Sequence, residues 1–340
     1  MIDHTRRRLS AALGAGIALA LSGEAAIAAD KAALLNVSYD VARKFYQELN
    51  PAFAEAWKQK TGQALRIDQS HGGSSKQARA VIDGLEADVV TMNNPLDIDA
   101  IAERGKLLPK AWAAQFPHAS SPSWSTILFL VRKGNPKAIR DWNDLVKPGV
   151  AVILPNPKTS GNGRYSYLAA WEYAKRANGG SEEAARAFVK KFFANVPILD
   201  TGGRGATTTF SQRAIGDVLL TFENEVALIR EELGDKFEVV VPSLTVRADN
   251  PVAVVQKFAA KHGRNDLARA YIEFHYSPKG QEIFARNAIR PSDPVVLERF
   301  AASFPKVNVF TVEEAFGSWP KAQAAHFADG ASFDQIYASP

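Results

Sequence analysis

Residues 34–91 read LLNVSYDVARKFYQELNPAFAEAWKQKTGQALRIDQSHGGSSKQARAVIDGLEADVVT, and this stretch decides the fold class. It opens with apolar residues over the length of a strand, Leu34–Ser38, and continues with an amphipathic segment from Val41 to Lys60. The order repeats at Leu65–Ile67, which precedes a second amphipathic segment from Lys76 to Leu85. Strands that alternate with helices predict an α/β protein with a largely parallel sheet.

The alternation returns further along the chain and predicts a second lobe. The apolar run Ser125–Val131 is long enough for one strand that crosses between lobes, and residues 240–250 offer a second crossing. The remainder is predicted to be mostly helical, with one helix over Val312–Phe327, and to complete the first lobe. We expect each lobe to be a sheet flanked by helices, with a hinge between the lobes. The predicted boundaries are 30–128 plus 246–340 for lobe I and 129–245 for lobe II.

Composition excludes several classes of protein. The chain has 340 residues, of which 46% are hydrophobic and 23% charged, a globular profile that leaves room for two domains. The net charge of +5 is spread along the chain, and no run of Lys or Arg follows residue 8. We therefore expect no nucleic-acid partner, because such partners need clustered basic residues.

The first 29 residues predict an export signal. Arg6, Arg7 and Arg8 precede an apolar stretch, Ala11–Ser22, and Ala26–Ala28 forms a small-x-small cleavage site. We expect cleavage near residue 28 or 29 and a protein exported to the periplasm without a membrane anchor, since the apolar stretch is too short to span a bilayer. The arginines fit either the general secretory or the twin-arginine route.

Three polar turns each precede an amphipathic segment or a polar loop, and they lie within His71–Asp88, Asn156–Arg176 and Asp200–Phe210. The first turn of a helix leaves N–H groups unpaired and carries the positive end of the helix dipole, which suits an anion. Ser and Gly also cap helices where no ligand binds, and for each single turn this alternative stays open. Three such turns that converge would form a box for a small oxyanion.

Patterns of catalysis and metal binding are weak in this sequence. Ser318 with Lys321, and Ser303 with Lys306, have the spacing of acyl-transfer enzymes, but a proline interrupts each turn. The six histidines show no metal-ligand spacing, and no dinucleotide or phosphate-loop fingerprint occurs. We expect a binding protein with no catalytic residue, cofactor or metal. The alternative is an exported enzyme that uses the anion box for a sulfate or phosphate ester.

Several motifs, in order along nearly all of the chain after the export signal, resemble those of the periplasmic sulfate- and thiosulfate-binding proteins of bacterial ABC importers. The resemblance implies a receptor of the type II binding-protein fold, two-lobed and hinge-closing, that delivers an oxyanion to a membrane permease. It also implies a monomer. The motifs are Leu34–Asp40, Asp68–Ser74, Trp142–Leu145, Asn156–Gly161, Gly202–Gly205, Tyr276–Gln281 and His326–Ala328.

The resemblance also implies which residues hold the ligand. In this family the dianion is bound by neutral donors, chiefly main-chain N–H groups and a Ser hydroxyl. One position, Phe222, stands where sulfate receptors have a Trp whose indole donates, and Phe cannot donate. His71 and Arg204 are expected behind the pocket, where they support the turns. The expected contacts are the amides of Asp40 and Ser74, the amide and hydroxyl of Ser160, the amides of Gly161, Asn162 and Gly203, and the ring of Phe222.

Two positions shift the expected ligand toward thiosulfate. Asn162 stands where sulfate receptors usually have Gly, and the Phe222 ring would lie beside the larger, softer terminal sulfur. We expect Asp40 to point its carboxylate away from the pocket, because an acceptor there would repel a dianion and favour a protonated anion such as phosphate. The sequence thus predicts a receptor for sulfate, thiosulfate or both. Another tetrahedral oxyanion, such as molybdate, is the alternative within this class.

Overall fold

The computed structural model describes residues 32–338, so the predicted export signal lies outside the described residues. The chain folds into alternating strands and helices, joined by short 3-10 segments. The strands are β1 (Ala32–Tyr39), β2 (Leu65–Gly72), β3 (Val89–Thr91), β4 (Ser123–Ser125), β5 (Ile127–Arg132), β6 (Val152–Pro155), β7 (Leu199–Asp200), β8 (Val218–Phe222), β9 (Phe237–Val240), β10 (Thr245–Val246), β11 (Ala248–Asp249), β12 (Val252–Val254), β13 (Arg290–Pro291) and β14 (Val309–Phe310).

The helices vary in length from one turn to five. They are α1 (Arg43–Thr61), α2 (Ser74–Ile82), α3 (Pro95–Glu103), α4 (Pro117–Ser120), α5 (Gly161–Ala177), α6 (Glu182–Ala194), α7 (Gly203–Ser211), α8 (Glu223–Leu233), α9 (Gln256–Lys261), α10 (Asn265–His275), α11 (Pro278–Arg286), α12 (Pro294–Arg299), α13 (Val312–Phe316), α14 (Trp319–Ala322) and α15 (Ser332–Tyr337). Within α4 the backbone of residues 118–120 is left-handed, so this element is a turn rather than a regular helix.

Two separate sheets carry the fold. The first has the order β12-β3-β1-β2, in which β1 runs parallel to both β2 and β3. The second has the order β7-β6-β8-β5-β9, in which β6 runs parallel to β7 and β8 while β5 is antiparallel to β8 and β9. Helices cover both sheets, and the α/β class with parallel strands is confirmed. Parallel strands end at a common edge of each sheet, which is where such proteins bind ligands.

The chain crosses between the sheets at Thr126. The sequence predicts one strand over Ser125–Val131, whereas the structure divides this run at Thr126 between β4, in a small sheet with β11 and β13, and β5 in the second sheet. The Thr126 hydroxyl lies 2.9 Å from the hydroxyl of Thr245 and 2.9 Å from the carbonyl oxygen of Val246. The Thr245 hydroxyl donates to the carbonyl of Ile127 at 2.9 Å. Buried hydroxyls therefore tie the two crossing segments together.

The C-terminal segment differs from the sequence-based expectation. The helix predicted over Val312–Phe327 is interrupted at Gly317, which has a φ of 79°, and at Pro320 in the first turn of α14. Residues 312–338 also lie against helices of the second sheet, although the sequence assigned them to lobe I. His326 lies 3.1 Å from the hydroxyl of Tyr167 in α5, and Arg186 of α6 donates to the Ser332 hydroxyl at 3.1 Å.

None of the helices between residues 32 and 338 has the length and apolar character that a bilayer-spanning segment requires.

One buried histidine predicts a pH-dependent stability. His275 is fully buried in α10, its Nδ1 lies 2.9 Å from the carbonyl of Tyr271, and burial lowers its pKa to about 4. Because the unfolded chain takes up this proton near pH 6.5, stability falls as the pH drops from about 6.5 toward 4. We expect His275→Gln to make the free energy of unfolding depend less on pH over that window, as measured by urea denaturation. An unchanged slope would contradict this prediction.

His262 provides the control of opposite sign. Its ring lies 2.7 Å from an Asp88 oxygen and 2.9 Å from a Glu86 oxygen. Both hydrogen bonds raise the pKa of His262, and the bond with Asp88 contributes most. The stabilisation is present below about pH 6.5 and is lost as the pH rises through the folded-state pKa. His262→Gln should therefore change the slope above pH 6.5, where His275→Gln leaves it as in the wild type.

Candidate anion-binding site

Five turns meet at the carboxyl ends of the parallel strands in the two sheets. From the first sheet come the turns after β1, β2 and β3, and from the second those after β6 and β7. Three of the turns open directly into helices of nine residues or more, α2, α5 and α7. The predicted site residues lie in these turns, with Phe222 at the end of β8.

Helix α2 begins with free main-chain donors. Its first internal bond runs from the N–H of Gln77 to the carbonyl of Gly73 at 2.9 Å, so the preceding amides of residues 74–76 have no carbonyl partner within the helix. Ser74 is buried, and its hydroxyl oxygen accepts the N–H of Asn93 at 3.4 Å. The predicted role of the Ser74 amide as a donor therefore fits the local hydrogen bonding.

Helix α5 begins at the most buried of these turns. The first internal bond joins the N–H of Arg164 to the carbonyl of Ser160 at 3.1 Å, which leaves the amides of Gly161, Asn162 and Gly163 unpaired. The Ser160 amide itself donates to the carbonyl of Asn156 at 3.0 Å, contrary to the expectation that it is free for a ligand. The Ser160 hydroxyl caps no N–H of the helix, and the residue is only 2% exposed. The hydroxyl is thus the group of Ser160 that a ligand can use.

Helix α7 contributes the third set of donors and joins the two halves. Its first internal bond runs from Ala206 to the carbonyl of Gly202 at 3.2 Å, while the N–H of Arg204 donates to Asp40 Oδ2 at 3.1 Å. The Gly203 amide, between them, has no main-chain partner. A methyl group placed on Gly203 would lie 3.0 Å from Val41 Cγ1 and 3.8 Å from Asn162 Nδ2. Asp40, Gly203 and Asn162 are therefore neighbours in space.

The Asp40 carboxylate points toward α7, and its charge is offset there. It accepts the Arg204 N–H, as expected for a group that is kept away from a bound dianion. The Arg204 side chain donates to buried Glu225 at 3.3 Å and lies 3.9 Å from Glu232. Burial raises the pKa of both Asp40 and Glu225, and the hydrogen bonds from Arg204 and Thr207 oppose that rise. Arg204 thus joins the residue that follows β1 to helix α8 through two carboxylates.

His71 lies beside these turns as a neutral ring. It is the penultimate residue of β2, opposite Ser38, and is partly buried. Burial lowers its pKa to about 4, so the ring carries no charge at neutral pH. It hydrogen-bonds the backbone of Tyr39, and its Nδ1 has no partner among residues 32–338. This arrangement matches the expected contact with the turn backbone rather than a catalytic base.

Phe222 lies next to the first turn of α5. The side-chain amide of Asn162 donates to the hydroxyl of Thr221 at 3.3 Å, which brings the end of β8 beside that turn. The Phe222 ring is 1% exposed and packs edge-on against Tyr165, with 6.1 Å between ring centroids. The Phe222 ring therefore packs on α5, against a residue four positions after Gly161.

Comparison with known proteins places these features in a family. Residues 35–290 match the family described as bacterial extracellular solute-binding protein. The chain belongs to this family. It is 56% identical to the thiosulfate-binding protein of Pseudomonas aeruginosa over 98% of this chain and 99% of that protein. It is 52% identical to the sulfate-binding protein of Escherichia coli over 95% and 98% of the two chains.

A solved structure supports the two-lobed fold of this solute-binding protein. The sulfate-binding protein SubI of Mycobacterium tuberculosis superposes with a TM-score of 0.77 at 32% identity, over 87% of this chain and 99% of that one. The sheets described above are the cores of the two lobes, and the turns after β1, β2 and β3 face those after β6 and β7 across the cleft between the lobes.

Sequence reasoning missed Asn93 and Asn94, which reach across the cleft. They follow β3, and a methyl group on Gly161 would lie 2.0 Å from Asn93 Oδ1 and 3.3 Å from Asn94 Cβ. Asn93 Oδ1 and Asn94 Nδ2 are buried without a hydrogen-bond partner in the described chain. The signal was present as Asn-Asn-Pro directly after an apolar strand, a turn at the same sheet edge as the predicted turns.

A buried ion pair across the cleft was also missed. Arg164 Nη1 of α5 lies 3.1 Å from Asp97 Oδ1 of α3, and the two side chains are 9% and 5% exposed. Asp97 neutralises the cation closest along the chain to the free amides of α5. No group of three or more His, Asp or Glu within residues 32–338 is placed to hold a metal ion.

The Ser160 hydroxyl should contribute directly to anion affinity. Ser160→Ala removes a hydrogen bond to a charged acceptor in a desolvated site, and we expect it to weaken oxyanion binding by about 1.5–3 kcal/mol. Thermal stability without ligand should hardly change, because the hydroxyl caps no N–H group. Calorimetric titration and thermal melting measure the two effects.

Ser181 is the matched control at another helix start. Its hydroxyl accepts the N–H of Ala184 at 3.1 Å and caps α6. Ser181→Ala should lower stability by about 1 kcal/mol and leave anion affinity as in the wild type. If Ser160→Ala instead behaves like Ser181→Ala, the Ser160 hydroxyl is only a structural group.

Proposed function

We propose that this protein is a receptor that captures sulfate and thiosulfate between its lobes and delivers them to the permease of an ABC importer. The observation that carries the proposal is the convergence of unpaired amides from α2, α5 and α7, together with the uncapped Ser160 hydroxyl. Aligned N–H groups at helix starts stabilise an anion without a cationic side chain. The names of the relatives support the same ligands.

The charge arrangement supports a fully ionised anion over phosphate. At neutral pH phosphate keeps a proton, which a binding site rewards with a carboxylate acceptor. Here the Asp40 carboxylate accepts from Arg204 and is turned toward α7. A protonated anion would leave its buried O–H unpaired, which is costly, whereas sulfate and thiosulfate have no such proton.

Hydrogen bonds at the crossings and around residues 312–338 indicate where the lobes divide and which segments move together. We place the lobe boundary at the crossings near Thr126 and Val246, where the hydroxyls of Thr126 and Thr245 tie the segments together. Residues 312–338 then move with the second lobe, on which they pack through His326 and Ser332. The lobes meet through Arg164 and Asp97, and through Arg204 and Asp40, and these contacts support the proposal of a closed cleft.

The proposed receptor is an exported protein without catalytic activity. The family is extracellular, and an export signal over residues 1–29 would send the receptor to the periplasm. We propose that it acts there as a monomer. We propose that the protein is not an enzyme, since the half-buried His71 ring is neutral and bonds a backbone group rather than a nucleophile. Release of sulfate or phosphate from an ester by the purified protein would contradict this.

The direct test is calorimetric titration with sulfate, thiosulfate, phosphate and molybdate at one pH and ionic strength. We expect tight binding of sulfate, thiosulfate or both, and far weaker binding of phosphate. Preferential binding of molybdate would show that the ligand of this receptor is a larger oxyanion. Preferential binding of phosphate would contradict the role assigned to the Asp40 carboxylate.

Phe222 should decide between the two ligands. Phe222→Trp adds an indole N–H donor beside the first turn of α5, and we expect the preference to shift toward sulfate by about 1 kcal/mol or more. The measurement is the ratio of sulfate to thiosulfate affinities for the two proteins. If the larger ring only overpacks against Tyr165, both affinities and the melting temperature fall together and the ratio stays constant. That result would show that Phe222 does not determine the preference between sulfate and thiosulfate.

A further inference from the structure

At two positions of the lobe interface the residue is glycine although the backbone conformation does not require glycine. Gly73, the residue before α2, has φ −56° and ψ 132°, and Gly202, the residue before α7, has φ −162° and ψ 169°. Any amino acid adopts these values. The reason for glycine at each position must therefore lie in the space around it.

The space at Gly73 is filled from the opposite lobe. A methyl group on Gly73 would lie 2.7 Å from the carbonyl oxygen of Thr201 and 2.9 Å from that of Thr159. Side-chain carbon atoms do not approach oxygen this closely, and both oxygens belong to main-chain turns that cannot swing aside as a side chain can. The three nearest atoms, which include Gly202 Cα at 3.6 Å, all belong to the second lobe.

The space at Gly202 is filled in the same way from the first lobe. A methyl group there would lie 2.6 Å from Asp40 Oδ2 and 3.4 Å from both the Cα and the nitrogen of Gly73. Gly73 and Gly202 thus face each other, backbone against backbone, between the turns that supply the amides of α2 and α7. We call this pair the glycine seam.

We propose that the glycine seam is a steric gate for cleft closure, so that Gly73 and Gly202 are positioning residues for anion capture. In the closed cleft the lobes approach until the two backbones touch, and this contact fixes how closely the amides of α2, α5 and α7 surround the ligand. A methyl group on either glycine stops closure short of that distance. The three atoms nearest to a methyl group on either glycine all lie across the cleft, so we expect each lobe by itself to accommodate the methyl group.

This inference rests on the proposed anion-binding function, and Gly73→Ala tests it. We expect affinity for sulfate and thiosulfate to fall about tenfold or more, because overpacking of a tight contact opposes closure. The melting temperature without ligand should stay within about 1 °C of the wild type, because the open lobe holds the methyl group without a clash. A glycine needed for lobe stability would show the reverse.

The neighbouring glycine gives a matched control. A methyl group on Gly72 would meet only the side chain of Gln77, at 3.3 Å and within the same lobe. Gly72→Ala should therefore bind both anions as the wild type does. If Gly72→Ala and Gly73→Ala lose affinity equally, the turn is merely sensitive to substitution and the gate is contradicted.

A measurement without ligand tests the steric gate independently of the proposed anion-binding function. The chain contains no cysteine, so Lys76→Cys with Thr201→Cys, both exposed and on opposite sides of the seam, introduces the sole thiol pair. A short bis-maleimide traps transient closure of the empty protein, and we expect Gly73→Ala to slow this crosslinking several-fold. Equal crosslinking rates would overturn the gate. Failure of the wild type to bind either anion would overturn the proposed function, while the crosslinking result would still decide the gate.

Discussion

The unpaired main-chain N–H groups at the starts of α2, α5 and α7 are the constraint on which the rest of the structure depends. An anion that is taken out of water needs donors in place of its hydration shell. Main-chain amides supply them only if the helix starts converge, and convergence requires the parallel strands β1, β2, β6 and β7 to end at facing edges. The convergence of the amides thus depends on the two-sheet topology.

The same constraint explains how the charges near the site are arranged. Arg164 and Arg204 lie in the first turns of α5 and α7, close along the chain to the free amides. The Arg164 side chain pairs with buried Asp97, and the Arg204 side chain pairs with buried Glu225. Charges that are paired this way leave the neutral amides as the groups that face the ligand. Capture then depends on how closely the lobes approach, which the backbone contact of Gly73 and Gly202 limits.

The sequence revealed the local elements and the polar turns because these depend on neighbouring residues. Strand and helix alternation identified β1 and α1 nearly as they stand, and the turns at Ser74, Ser160 and Gly203 were recognisable from their Ser and Gly content. Contacts between distant segments could not be predicted in this way: the pattern Asn-Asn-Pro marked a turn after β3 but not what that turn contacts. The division of one apolar run at Thr126, the docking of residues 312–338 on α5 and α6, and the approach of Asn93 to Gly161 all depend on tertiary packing.

The most direct test of the account is the position of the bound ligand, seen by the anomalous scattering of sulfur in a crystal grown with thiosulfate. The chain has no cysteine and its methionines are Met1 and Met92, so ligand sulfur would stand out against little protein sulfur. The account predicts anomalous density between the first turns of α2, α5 and α7, within hydrogen-bond distance of the Ser160 hydroxyl and the Gly161 and Gly203 amides. Density held instead by Lys or Arg side chains outside these turns would contradict it.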